Sequence, residues 1–470
     1  MARAPVDRTR PPASGTVRPF AFPSVRSDAL ASGLALRVAR LPRLPVVASA
    51  LVIPAAEAGL EESSAGHAVL TGEALEGGTR ARSGSELAEA LEGIGASLHV
   101  SVGWDATTVS LSCLADRWED AFALLAEVVF RPAFPEEEVA RVREQQLARL
   151  RQRAMDPGSL ASDRAAELIH APRIPYARST FGSLASVARF DGAAAERLAG
   201  ERYRPRRGGL VVVGDVDPDR VSDVADRVLA GWEGGAPEGR DFEVAPRFRE
   251  ATVHVIDRPD AVQSEIRIGH TGAAMRDPAY HPLMVANAIL GGTFTSRLNR
   301  NLRERHGFTY GVRSSFAFRR SPGPFSVSTA VATEVTAPAV REIMAELSAM
   351  ADHGPTEDEV EGARDYLAGV FPLRLETTGQ VAARIAELIV YDLPDDYHAR
   401  FRERIRSVSR TEAAEAARRH IRPHEATVIV VGAAAAVAGP LEELGIGPLT
   451  IHSAEPPEPP EPAESRSGEG

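Results

Sequence analysis

Arg303 and Tyr310 stand seven residues apart in the stretch A-I-L-G-G-T-F-T-S-R-L-N-R-N-L-R-E-R-H-G-F-T-Y-G-V, residues 288–312. A guanidinium and a phenol are fixed donors, suited to an acceptor on which negative charge develops. The structural alternative is equally definite: Arg303 as a cation at a helix C-terminus and Tyr310 as a core aromatic on an apolar strand face. From the residues alone both stay open. Other candidates read more simply. His420 and His424 are four apart, but Pro423 lies between them and a strand-like run follows, so they are no helical ligand pair and read as a surface loop. Cys113, the only cysteine, sits in T-T-V-S-L-S-C-L and reads as a small buried hydrophobe.

The elements that must position Arg303 and Tyr310 are a glycine turn, a short helix and a strand. Gly291 and Gly292 make the turn. Leu298 and Leu302 share a helix face, Arg303 and Arg305 fill its last turn, and Gly307 suits a left-handed cap. From Phe308 the period becomes two, with Phe308, Tyr310, Val312 and Phe316 facing one way and Arg313 and Ser315 the other. Asn299, Asn301 and His306 are polar neighbours, with His306 expected at the surface.

The 470 residues suffice for two or more domains. With 54 basic and 65 acidic residues the net charge is −11, which argues against nucleic acid and anionic membranes as main partners. All basic residues are arginine, so neither a Schiff-base lysine nor a phosphate-loop lysine is available. One cysteine permits no intrachain disulfide and no cysteine metal cluster. No signal-peptide pattern is visible, and the longest apolar run, 46–56, is too short to span a bilayer, so a cytoplasmic location is expected.

The chain opens with an Arg/Pro/Ser-rich segment, 1–24, expected to be disordered. Strand-like and helical runs follow through 25–232. They include a capping box at Ser83 and Glu86, a hairpin around Gly103-Trp104-Asp105, and helices from Trp118 to Phe130 and from Pro135 to about Arg153. A Gly/Pro-rich linker, 233–246, precedes a second run, 247–450, and residues 453–470 form a Pro/Glu-rich tail.

The second run repeats the first. Arg204-Pro205 with Val212-Val213-Gly214 recurs as Arg422-Pro423 with Val430-Val431-Gly432, offset 218. Gly77-Gly78-Thr79 recurs as Gly291-Gly292-Thr293, P-E-E-E-V at Pro135 as T-E-D-E-V at Thr356, and Pro42 as Pro259, with offsets of 214, 221 and 217. Four landmarks in order at nearly one spacing imply two homologous α+β domains, each an antiparallel or mixed sheet covered by helices.

Over roughly residues 25–450 this pattern resembles the pitrilysin/insulinase-like zinc metallopeptidases, which include the mitochondrial processing peptidase subunits. The resemblance rests on the repeat, the Gly-Thr after the first-half helix, P-E-E-E-V with Asp156-Pro157 after it, and above all G-G-T-F-T-S-R-L-N-R-N-L-R-E-R-H-G-F-T-Y-G. It implies halves that close as a clamshell. It also implies a zinc motif, H-x-x-E-H, just before the first-half Gly-Thr, in which two histidines ligate the metal and the glutamate is general base. Here those positions hold Val69, Gly72 and Glu73, and the third ligand falls near Ala148 or Arg149. Ligands and base are missing, and an arginine is hostile to a cation. A rearranged set of His67, Glu73 and Glu144 has poor spacing and reads as solvated or capping residues.

The same resemblance gives Arg303 and Tyr310 a role: to face the zinc site from the opposite half and hydrogen-bond the substrate carbonyl and its oxyanion. A glycine-rich loop touches substrate in the processing-peptidase relatives, which extends a substrate-binding expectation to Gly291 and Gly292. The expectation is therefore a zinc-less subunit. It would pair with a homologous chain that bears H-x-x-E-H and holds the zinc, and act on unfolded peptides. The rival is a structural or peptide-binding assembly protein of the same fold; a protease with an unrecognised site ranks third.

Overall fold

The protein is described by a computed structural model covering residues 19–235 and 242–454. Strands β1 (Arg26–Ala29), β2 (Ala35–Arg40), β3 (Val46–Ile53), β4 (Ser97–Val102), β5 (Thr107–Leu114) and β6 (Gly209–Gly214) form one sheet, in the order β1-β2-β6-β3-β5-β4. Strands β7 (Thr252–Asp257), β8 (Gln263–Thr271), β9 (Val312–Phe316), β10 (Pro324–Ala332), β11 (Thr427–Gly432) and β12 (Leu449–Ser453) form the other, in the order β12-β7-β11-β8-β10-β9. Apart from the outermost strands β1 and β12 the two orders are the same. In each, an equivalent parallel pair (β2 with β6, β7 with β11) adjoins an antiparallel run, and the outermost strand differs: β1 joins β2 antiparallel, whereas β12 joins β7 in parallel. The landmarks of the repeat fall at equivalent places. Val212-Val213-Gly214 and Val430-Val431-Gly432 end the central strands, and the two Glu-rich motifs open helices Glu136–Met155 and Glu357–Val370.

β6 and β11 are buried along their whole length, as continuous apolar runs in the middle of a sheet covered on both faces must be. In the first sheet Leu210, Val212, Leu36, Val38, Leu51 and Leu111 share a core with Phe122, Leu125 and Val129 of helix Trp118–Phe130. The other face carries Ala48, Ala50, Val52, Val211 and Val213. It is covered by Val381, Ala382, Ile385 and Ala386 of helix Thr378–Val390, which the second half of the chain supplies. Small residues let that helix come close: a Cβ on Gly209 would lie 2.4 Å from Ile389 Cδ1.

The exchange is reciprocal. Helix Pro157–Ile169 leaves the first half and lays Leu160, Ala165, Leu168 and Ile169 on Ile256, Ile429 and Val431 of the second sheet. Asp156 caps it through Ser159 N–H and Pro157 occupies its first turn, which is what Asp-Pro contributes at that place. Arg267 fixes the helix from below, donating from Nη2 to the Gly158 carbonyl at 3.0 Å. The seam between the halves has a second fastening. Arg319 lies over the rings of Tyr176 and Trp104, at 4.3 and 4.9 Å from their centroids, and Arg320 N–H bonds Asp105 at 3.1 Å.

Three boundary expectations change. Residues 19–24 are ordered: Phe20 meets Phe371 edge-on at 6.2 Å and Phe22 meets His398 at 5.7 Å, so this segment straps across to the other half. Apolar side chains flanked by prolines find a groove there that composition could not announce. The expected linker is pinned where it is described, with Ala171 N–H bonded to the Ala245 carbonyl and Phe242 against Tyr176. β12 carries the second sheet to Ser453, past the expected end at 450. Residues 1–18, 236–241 and 455–470, on which the remaining expectations fall, lie outside the described residues. Among the described residues no helix is long and apolar enough to cross a membrane.

Buried imidazoles give this fold a pH dependence. Burial pushes His254, His281 and His398 down to about 4 and His270 to about 3. A histidine held neutral binds fewer protons folded than unfolded between its folded value and about 6.5. Its contribution is present above that window and is lost as pH falls through it. The melting temperature at pH 5 should lie below that at pH 7.5 by roughly 5 °C or more, as read by calorimetry. A flat profile over that range would contradict the buried, neutral assignment.

Candidate functional site

Around Arg303 the local structure departs from the expected turn and helix. Helix Tyr280–Asn287 continues into a π-helical segment, Ala288–Gly292, and a second π segment, Asn299–Arg305, follows after a short loop. Wide turns of this kind recur at functional sites. The glycines therefore close one helix and do not open the next. Gly291 is buried, and a Cβ there would lie 2.6 Å from Ser314 N, so its role is to let the helix end approach β9. The expectation that both glycines meet a substrate is corrected for Gly291; Gly292 is exposed.

Leu298 and Leu302 are buried together, and Gly307 turns the chain at φ 65°, as expected. The strand begins at Val312, not at Phe308. Thr309 is the reason: its hydroxyl accepts from Gly311 N–H at 3.1 Å and is itself bonded by Thr329 at 2.9 Å, a side-chain turn that competes with the ladder. The turn throws Tyr310 outward, 100% exposed, and the core-aromatic reading of this residue falls. Arg303 is more sheltered, its side chain 18% exposed. Its guanidinium stacks 3.5 Å from the centroid of Phe294, Nη2 donates to Glu304 at 2.8 Å, and Nη1 is buried without a hydrogen-bond partner.

Asn299 ties the two loops together. Its Nδ2 donates to the carbonyls of Thr293 at 3.1 Å and Val312 at 2.9 Å, and its Oδ1 accepts from Val312 N–H at 3.2 Å. The loop before the π segment, with Phe294, and the loop after it, with Tyr310, are thus anchored on one buried amide. Sequence reasoning saw Asn299 only as a polar neighbour. Its trace there is an amide beside the apolar helix face of Leu298 and Leu302. Phe294 left no signal beyond being an aromatic in a loop. Asn301 is likewise buried, donating to Glu342 and Glu346, and His306 is near the surface, 3.9 Å from Glu342.

The first-half counterpart is closed. Val69, Gly72 and Glu73 lie on helix His67–Ala74, and Arg149 lies on helix Glu136–Met155 beside it. Arg149 Nη1 donates to Glu73 Oε1 and to Gln146 Oε1, both at 2.9 Å. A guanidinium thus joins the positions where a metal would join two ligands. At Gly72 an added Cβ would lie 2.5 Å from Val102 Cγ2 and 3.2 Å from Val100 Cγ1, so β4 fills the place a base would need. These residues do not fit zinc: two of the ligand positions hold a valine and an arginine, and the remaining carboxylate is already paired.

The rearranged set is not assembled either. His67 donates to the Ser186 carbonyl at 2.9 Å and stands edge-on to Phe190, so it is buried and not solvated. Glu73 is held by Arg149, and Glu144 is exposed beside Arg143. Among the described residues no group of three or more His, Cys, Asp or Glu could hold a metal ion. The other histidine pair needs a correction: His420 ends helix Arg410–His420 and is buried 3.8 Å from Asp277, because its helix packs inward, while only His424 is on the surface. Cys113 is buried on β5, and burial pushes its thiol up to about 11.

Glu57 holds the start of helix His67–Ala74. Its Oε1 accepts from Gly66 N–H at 2.7 Å, and burial pushes its carboxyl up to about 8, against the opposing pull of that bond.

Family models match both halves. Residues 40–172 match the insulinase (peptidase M16) model, and residues 196–367 match the model described as the peptidase M16 inactive domain. The chain is 25% identical over 317 residues to an uncharacterized zinc protease of Streptomyces coelicolor, covering 66% of this chain and 68% of that protein. It is 24% identical over 378 residues to a non-peptidase homolog of Helicobacter pylori, covering 79% and 85%. The crystal structure of a peptidase M16 inactive domain from Pseudomonas fluorescens superposes with a TM-score of 0.82 at 25% identity, over 87% of this chain and 98% of that one.

Two outcomes test the closed site. Gly72→Ala, which normally stabilises a helix by up to about 1 kcal/mol, should here destabilise by about 1–3 kcal/mol in urea unfolding. Adding Val102→Ala should recover part of the loss, and a stabilised single variant would show the space to be open. For Glu57, a carboxyl raised above its ordinary value contributes stability that is lost as pH rises through about 8. Between about pH 5 and 8 the folded chain holds a proton that the unfolded chain has released, so Glu57→Gln should flatten the fall in stability over that window, and an unchanged slope would place the loss elsewhere.

Proposed function

The chain belongs to the insulinase family of peptidases and lacks that family's catalytic motif, and from this premise we propose that it is the zinc-less subunit of a two-chain peptidase. Its partner is a homologue carrying H-x-x-E-H, which would hold the zinc. This chain would contribute Arg303 and Tyr310 across the chamber to unfolded peptide substrates in the cytoplasm. The observation that carries the proposal is an asymmetry. One half fills its metal position with the Arg149–Glu73 ion pair and closes the base position with Val100 and Val102. The other leaves Tyr310 fully exposed at a loop that Asn299 anchors to the sheet. A half kept only for packing has no need to hold a phenol in solvent.

The chemistry asked of the pair is modest. Arg303 and Tyr310 are donors only: they orient a peptide carbonyl and favour the charge that develops on its oxygen, and they move no proton of their own. Tyr310 is free to approach a bound chain. Arg303 already has its plane fixed by Phe294, which lowers the rotamer entropy lost on binding. The rival, an assembly protein of the same fold, needs neither residue.

Metal analysis of the purified chain should find far less than one zinc per chain, and one zinc per chain would overturn the assignment. Co-expressed with an H-x-x-E-H homologue, the chain should copurify with it and support peptide cleavage. Arg303→Ala and Tyr310→Phe should each lower kcat/KM by about 10-fold or more without loss of assembly. Wild-type turnover in both variants would favour the assembly role.

A further inference from the structure

We propose that Phe294 is the third member of the Arg303/Tyr310 site. It holds the Arg303 guanidinium with one ring face and offers the other to an apolar side chain of an extended peptide. The inference rests on the reading of Arg303 and Tyr310 as peptide contacts and adds the class of peptide they accept.

Phe294 is 72% exposed, although an aromatic ring gains free energy by burial. It is not left out by a floppy loop. Thr293, its neighbour, donates from its hydroxyl to the Ala288 carbonyl at 3.0 Å, and the Thr293 carbonyl accepts from Asn299 Nδ2 at 3.1 Å and from Ser296 N–H at 3.2 Å. The backbone on the C-terminal side of the same amide, at Val312, positions Tyr310 two residues before. Two exposed aromatic rings are therefore carried by loops locked to one buried side chain, with the guanidinium stacked on one of them.

The stack has a direction. The guanidinium carbon lies over the ring, 3.5 Å from its centroid, which occupies one side of Phe294. The opposite side carries the exposure. An extended chain that brings a carbonyl to Arg303 and Tyr310 presents side chains alternately to either side. One of these meets the open face of Phe294, where an apolar group buries area on both partners and a charged one loses hydration. Phe294 therefore selects an apolar or aromatic residue next to the bound carbonyl, and it is a positioning residue for Arg303.

Fluorescence anisotropy with the full chain provides the test. The probes are two fluorescein-labelled nonapeptides of alanine and serine that differ only in a central Phe or a central Asp. The wild-type chain should bind the Phe peptide roughly 5- to 10-fold more tightly, a difference of about 1–1.4 kcal/mol. Phe294→Ala should abolish that preference and Phe294→Trp should restore it. Arg303→Ala should weaken both peptides by a similar factor and leave the preference intact. If Phe294→Ala keeps the preference while Arg303→Ala and Tyr310→Phe still weaken binding, the Phe294 inference falls and the reading of the pair stands. If none of the three variants changes binding, or the wild-type chain binds neither peptide, both fall. The ring is exposed, so the variants should fold, and their melting temperatures check that.

Discussion

Neither sheet can bury both its faces with the chain that precedes or follows it locally. Helix Thr378–Val390 covers β3 and β6, and helix Pro157–Ile169 covers β8 and β11. Much of the architecture follows from that exchange. On the first sheet the covered face includes the small residues Ala48, Ala50 and Gly209, which let the helix lie close. Asp156-Pro157 begins one exchanged helix, and Thr377 and Gln380 form a capping box at the start of the other. The Arg319 stack on Tyr176 and Trp104 then fastens a seam that the helices have already brought together.

The two halves show how one scaffold diverges while its frame is kept. Strand order and register survive in both. In the first half the space between two helices and an edge strand is taken by an arginine, a paired glutamate and two valines. An ion pair about a third to a half exposed contributes little stability. It does satisfy the Glu73 carboxylate, and it sets a fixed positive charge beside it. In the second half the corresponding helix end widens into π turns, and the loops around it carry side chains outward.

Much of the fold is legible in the sequence because its signals are local. The capping box at Ser83 and Glu86, the hairpin of β4 and β5, and helix Trp118–Phe130 follow from spacing and cap residues. The duplication is legible because four landmarks keep their register. The helix exchange is not, since an amphipathic helix states that it has a partner and not which one. At the site, Leu298, Leu302 and Gly307 follow their pattern. Tyr310 does not, because the Thr309 hydroxyl breaks an alternation that side-chain polarity alone supported. Phe20, Phe22 and His420 mislead for the opposite reason: composition marks their segments as surface, and long-range packing half-buries the two rings and buries the imidazole.

The exchanged helices also bear on how the chain is made. During synthesis the first sheet leaves the ribosome with Ala48, Ala50, Val52, Val211 and Val213 facing water, and the segment that shields them, 378–390, emerges more than 160 residues after the last of these strands. At about 5–20 residues per second that interval is on the order of ten seconds or more. The nascent first half is thus an incomplete domain with one apolar sheet face uncovered throughout that time. A message broken after the first repeat would yield a product with one core formed and the other face of its sheet uncovered.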